Sequence, residues 1–255
     1  MRLRITFQVS RVPLLYRNAF MSYLKEALRS SPSGEKRFQQ LFHYENRTNK
    51  APKPFCFAVR FLHDQASFAQ EKDAFTLLSP LHFYFSTSDT ALFVDFYNGV
   101  INRKIYPFQK GDFTLNYPLS VNFLREKPIL RESALFETLS PILIEDASHQ
   151  PLLPSIDGDG ERFVKELNYQ TDAMLRGIRG EGLRWPLQFK PVHIKKEVVK
   201  HAVREREEDS RVYTFTCFSG SFYLQGDPQD LRDIQVLGLG RRRSQGFGMV
   251  EVVET

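Results

Sequence analysis

Residues 238–250 read Gly-Leu-Gly-Arg-Arg-Arg-Ser-Gln-Gly-Phe-Gly-Met-Val, four glycines bracketing three arginines and two polar residues. Glycine permits backbone angles and close approaches that side chains forbid, so amide N–H groups in such a loop can face an anion. The arginines add bidentate phosphate or base contacts. The pattern has no GK[ST] and does not open a helix after a strand as GxGxxG would, which argues against a nucleotide cofactor. Its flanks set the fold. Pro228–Gln235 ahead of it reads as a short helix, and Phe247–Val253 (FGMVEVV) closes the chain as a strand. Further back lie a long candidate hairpin, Leu187–Val203 and Arg211–Leu224, joined by REREEDS, then a helix over Asp159–Arg176 and a strand over Leu135–Glu145. That order is β-α-β-β-α-β.

The N-terminal half repeats it. Arg2–Ser10 alternates as a strand, and Pro13 opens a helix with Leu15, Ala19, Tyr23 and Ala27 at i, i+4 spacing, stopping at Ser31-Pro32-Ser33-Gly34. A polar, basic, loop-like stretch runs to Lys53. Phe55–Leu62 and Leu81–Thr87 are aromatic-rich strands, Ser88 or Asp89 caps a helix through Tyr97, and Asp112–Leu124 reads as a strand. The expectation is an α+β chain of two tandem ferredoxin-like (β-α-β-β-α-β, RRM-like) domains, duplicated in element order and not in residues. The boundary falls near Pro128–Ser133, giving domains 1–130 and 131–255.

Composition excludes several classes. With 255 residues, 42% hydrophobic and 25% charged, the chain can bury a core. It has no apolar run near the roughly 20 residues of a membrane span. The opening MRLRITFQVSRVPLLYR lacks the apolar centre of a signal peptide. Cys56 and Cys217 lie in strand-like runs without a CxxC pair, against a disulfide scaffold or cysteine zinc site and in keeping with a cytoplasmic setting. The net charge is +5, and Lys36–Arg60 carries six basic residues (Lys36, Arg37, Arg47, Lys50, Lys53, Arg60) against Glu45. With Arg241–Arg243, this concentrated charge points to an anionic partner, nucleic acid first. No metal or cofactor site is expected.

The segment GLGRRRSQGFGMV resembles the C-terminal glycine-rich loop of the RAMP superfamily, the repeat-associated proteins of CRISPR systems, whose pattern is G-h-G, about five residues with a basic one, then G-h-G-h. Within it the chain is most similar to the sixth Cas family, the stand-alone endoribonuclease that cuts precursor CRISPR RNA. MRLRITF and VPLLYRNAFMSYLKEAL resemble that family's first strand and helix, FETLSPILI its strand with an internal Ser-Pro, and LFHYENRTNKAPKPFCFAV its histidine segment with a Lys-x-Phe strand entry.

The resemblance implies two ferredoxin-like domains and metal-independent RNA cleavage. In that reaction the ribose 2′-hydroxyl attacks the adjacent phosphate, leaving a 2′,3′-cyclic phosphate and a 5′-hydroxyl. It needs a base, an acid and a cation for the developing phosphorane charge. His43 fits as acid, base or both in turn, and Lys53 matches the family's transition-state lysine, with Lys50 a substitute. Where the family often carries a tyrosine in the first helix, this chain has Lys25; Tyr23, about 200° around the helix, faces elsewhere. Gly238, Gly240, Arg241, Arg242, Arg243, Ser244, Gly246 and Gly248, with Arg47 and Lys50, are the expected RNA contacts. The partner is CRISPR repeat RNA, not membrane; a multisubunit effector complex and a homodimer stay open. The competing reading is a non-cleaving RAMP subunit that holds CRISPR RNA in an effector.

Overall fold

The computed structural model describes residues 1–44, 47–62, 68–70, 74–102, 106–107, 114–154, 160–204 and 210–254. His63 and residues 205–209 of the run REREEDS lie outside them. The chain divides into two compact units, Met1–Ala51 with Val59–Leu124, and Pro52–Ala58 with Arg125–Thr255.

The N-terminal elements are β1 (Arg2–Phe7), α1 (Tyr16–Arg29), α2 (Gly34–Phe42), β2 (Phe55–Phe61, whose first four residues are grouped with the second unit), β3 (Leu81–Thr87), α3 (Thr90–Asn102) and β4 (Ser120–Leu124). The sheet order is β4-β1-β3-β2. Alternation in β1 decides its faces: Leu3, Ile5 and Phe7 are buried, and Arg4 and Thr6 face the other way. Phe20 of α1 stacks on Phe83 of β3, with ring centroids 5.3 Å apart. Asp89 caps α3 by accepting from Leu92 N–H at 2.9 Å.

One α-helix was not expected. Gly34–Phe42 is a helix, where the sequence read as a basic loop. Phe38 and Phe42 share a face one turn apart, a short apolar signal inside a charged run. Arg37, counted among the free cations, instead reaches the buried carboxylate of Asp95 (2.8 Å) and Asp89 (3.3 Å), tying α2 to α3.

The second unit runs β5 (Ser133–Thr138), α4 (Gly160–Arg179), β6 (Gln188–Arg204), β7 (Ser210–Gln225), α5 (Pro228–Leu237) and β8 (Val250–Glu254), in sheet order β6-β7-β5-β8. In both units the fourth strand of the motif lies beside the first and the third beside the first on its other side, the ferredoxin-like arrangement twice over. Phe136, Phe163, Phe218 and Phe222 form the centre of its core. Asp227 caps α5 through Gln229 and Asp230 N–H groups, Pro228 occupies the first turn, and Gly238 at φ +80° ends it. The buried Asp230 carboxylate accepts from Arg179 (2.6 Å) and Arg184 (2.7 Å), anchoring α5.

Several expected strands are shorter. The strand placed over Leu135–Glu145 ends at Thr138, because Pro141 has no N–H to continue the ladder. Ile142 then rejoins the sheet through two bonds with Phe218, at 2.8 and 3.0 Å. The closing strand begins at Val250, since residues 247–249 belong to the glycine-rich loop. Of Asp112–Leu124, Ser120–Leu124 is the sheet strand and Thr114–Leu115 pairs separately with Tyr106–Pro107.

Candidate nucleic-acid interface

All four loop glycines adopt left-handed backbone: Gly238 (φ 80°), Gly240 (73°), Gly246 (88°) and Gly248 (70°). Their immediate client is the protein itself. A Cβ on Gly248 would lie 1.9 Å from the Leu239 carbonyl oxygen, and one on Gly240 2.4 Å from that of Leu143. The loop amides are engaged accordingly: Leu239 N–H donates to Gly248 O, Arg241 N–H to Leu143 O and Gly248 N–H to Pro141 O, at 2.8–2.9 Å. Met249 N–H donates to Ser140 Oγ at 3.0 Å. The expectation that glycine amides would face a phosphate is corrected here: Gly238, Gly246 and Gly248 N–H groups all bond within the chain. The glycines let residues 238–249 lock onto the Ser140-Pro141 turn, so two stretches about a hundred residues apart in sequence form one structure.

That lock aims the arginines differently from one another. Arg241 is half-buried, its Nε 3.9 Å from Glu145. Arg242 places its guanidinium carbon over the Phe215 ring, 4.5 Å from the centroid, and donates to Gln245 Oε1 at 3.0 Å. Burial lowers its pKa from the ordinary arginine value; Glu145 opposes that shift and Arg241 adds to it. Arg243 does not face outward as the sequence suggested. Its guanidinium is buried, donates to Leu237 O at 2.6 Å, and is pushed down to about 10 by burial. Ser244 is half-buried beside them.

In the first unit, His43 caps the C-terminus of α2, extended and exposed, and pairs with Thr48 in a two-residue hairpin. Its ring lies 5.4 Å from that of Phe38. Asn49, unmarked in the sequence, closes this hairpin: its N–H donates to Phe42 O (2.9 Å) and its side-chain amide to Gln40 O (3.1 Å). Lys25 reaches across from α1, its Nζ 4.6 Å from the Phe42 ring centroid. The structure thus brings Lys25 to the residue adjoining His43. Tyr23 is in the core, against Phe7, Phe20 and Phe83. Arg47 supplies backbone to the hairpin, Lys50 is exposed, and Lys53 is half-buried in the Pro52–Ala58 segment grouped with the second unit.

The helix-free face of the first sheet carries a further polar set: Arg4 opposite Tyr84, and Thr6 opposite His82. Tyr84 Oη lies 3.4 Å from His82 Nδ1. Burial first, then Arg4 and Arg60, lower His82 below its ordinary 6.5. A depressed histidine stabilises the folded chain above its ordinary pKa, and that contribution is lost as pH falls through the folded value. Denaturant midpoints should therefore fall between about pH 7.5 and about pH 5.5, and His82→Gln should flatten the fall; an unchanged slope would contradict this.

Comparison with known proteins follows the same lines. A family model described as CRISPR associated protein Cas6, C-terminal, matches residues 124–252. A search of curated proteins by sequence returns no match. Among solved structures, a Cas6-related protein from Pyrococcus furiosus is 18% identical with a TM-score of 0.77, covering 100% of this chain and 98% of its own. A RAMP protein binding different RNA substrates is 17% identical with a TM-score of 0.74, covering 100% of both chains. A CRISPR associated protein Cas6 is 19% identical with a TM-score of 0.66, covering 100% and 99%. At these identities the likeness is one of fold. The family model, spanning half the chain and taking in the glycine-rich loop locked to Ser140-Pro141, carries the assignment: this chain belongs to the Cas6 family of CRISPR-associated proteins.

Proposed function

We propose that this protein is an endoribonuclease that cuts precursor CRISPR RNA within its repeats, without a metal, by attack of the ribose 2′-hydroxyl on the adjacent phosphate. The observation that carries the proposal is the exposed His43, held by α2 and Asn49 next to a residue touched by Lys25. An exposed imidazole has one ring nitrogen that can take the 2′-hydroxyl proton and, once protonated, can give one to the leaving 5′-oxygen, or do both in turn. Lys25 and Lys53 would oppose the charge that builds on the phosphorane, gaining more in the transition state than in the ground state. The products are a 2′,3′-cyclic phosphate and a 5′-hydroxyl.

A second reading, a RAMP subunit that binds CRISPR RNA without cutting it, has one observation in its favour: Lys25 occupies the first-helix position where a tyrosine is common, and Tyr23 is buried. Incubating the protein with a synthetic repeat RNA in EDTA separates the two. One discrete cut supports the enzyme; tight binding with no cut supports the subunit.

Binding is divided among the arginines. Arg241→Ala with Arg242→Ala should weaken binding and reduce the slope of log affinity against log salt by about 0.7 per lost phosphate contact. Arg243→Ala should leave that slope alone and lower thermal stability, because it unpairs the buried Leu237 carbonyl. A reduced salt slope in Arg243→Ala would contradict its inward placement.

A further inference from the structure

The second unit holds a cavity of about 480 Å³, lined by Arg242 of the glycine-rich loop, Tyr213 and Phe215 of β7, and Glu145 and His149 beyond β5. Its size falls in the range of roughly 300–1,000 Å³ typical of small-molecule sites. Among the described residues, the two non-glycines with left-handed backbone, His149 (φ 60°) and Arg242 (φ 58°), both line it. Such conformations cost free energy and persist where the surroundings enforce them. Here Asp146 Oδ1 enforces one by accepting from Ser148 and Gln150 N–H at 2.8 and 2.9 Å.

The decisive group is Glu145. Its side chain is 8% exposed, and its Oε2 lies 3.7 Å from His149 Nδ1 and 3.9 Å from Arg241 Nε. Neither contact has hydrogen-bond length, so the carboxylate keeps acceptor capacity at the cavity wall. A carboxylate repels phosphate. It is, however, complementary to a base edge that presents N–H donors. The walls suit a flat ring: Tyr213 offers an aromatic face and Arg242 a guanidinium plane, the two surfaces on which unpaired RNA bases stack. Guanine presents two adjacent donors on one edge, N1–H and the N2 amino group, matching the two oxygens of a carboxylate.

We propose that this cavity receives an unpaired guanine of the bound RNA, with Glu145 accepting from N1–H and the N2 amino group while Arg242 and Tyr213 hold the ring. The assignment rests on the reading that the chain binds RNA, not on its cutting it.

The test uses the whole protein and a labelled oligouridine of about ten nucleotides with one central guanosine, a length matched to single-strand sites. The same oligonucleotide carrying inosine, which lacks the N2 amino group, or adenosine is the comparison. Wild-type protein should bind the guanosine probe about tenfold more tightly than either. Glu145→Gln should erase the preference, and Tyr213→Leu should weaken all three probes alike. Equal affinities in the wild-type protein would overturn the assignment without recourse to any variant, as would a preference that survives Glu145→Gln. Guanine preference in a protein that cuts no repeat would keep the cavity and remove the enzyme. Cleavage without guanine preference would do the reverse.

Discussion

His43→Ala should lower single-turnover cleavage of a repeat RNA by roughly 10²–10⁴-fold, the usual worth of a positioned acid or base, or about 3–5 kcal/mol of barrier. Affinity for the same RNA should stay within a few-fold, because the neighbouring cations remain. The variant should fold normally: the imidazole is exposed, and the hairpin that carries it is closed by backbone and by Asn49. Lys53→Ala and Lys25→Ala should also slow cleavage, through lost stabilisation of the phosphorane. Wild-type rates in His43→Ala would move the chemistry to another group. A loss of affinity with an unchanged rate for bound RNA would make His43 a binding residue only.

Gly248→Val should destabilise the second unit by about 3 kcal/mol. Left-handed backbone costs a side-chain-bearing residue about 1–2 kcal/mol. The added carbon also meets the Leu239 carbonyl oxygen at 1.9 Å. Relieving that collision strains the Leu239–Gly248 and Gly248–Pro141 hydrogen bonds, each worth about 1 kcal/mol. The thermal midpoint should fall by roughly 6–12 °C, measured by calorimetry without RNA. Gly180→Ala is the control, left-handed at φ +85° with nothing within 4 Å of the added carbon, and should lose only the conformational part. An unchanged midpoint in Gly248→Val would show that the loop glycines serve something other than the loop's own packing.

The element order was legible because each unit buries alternating strand positions and punctuates them with Pro, Gly and capping carboxylates, as at Asp227-Pro228 and Gly238. Local chemistry of that kind is written in neighbouring residues. What escaped depends on distant partners. The helix Gly34–Phe42 hid within a charged run because its anchors, Asp89 and Asp95, lie more than fifty residues away. The glycines of 238–248 announced close approach, but the carbonyls approached belong to Pro141 and Leu143. Arg241, Arg242 and Arg243 are equivalent as letters; the loop buries the third, lays the second on Phe215 and leaves the first near Glu145. Charge counting cannot separate an arginine that grips a ligand from one that satisfies a buried carbonyl. For the site, the sequence marked His43 and Lys25 through resemblance. Asn49, which holds the His43 hairpin, carried no signal beyond being an asparagine near a turn.

The central claim is that the chain cuts RNA through the ribose 2′-hydroxyl. The measurement that tests it most directly compares a synthetic repeat RNA with the same RNA carrying a single 2′-deoxy substitution at the cut site, in EDTA, with analysis of the end groups. The account predicts one cut ending in a 2′,3′-cyclic phosphate for the unmodified RNA and no cut at that position once the nucleophile is removed. Cleavage of the 2′-deoxy RNA at the same position, or a strict requirement for Mg²⁺, would contradict it.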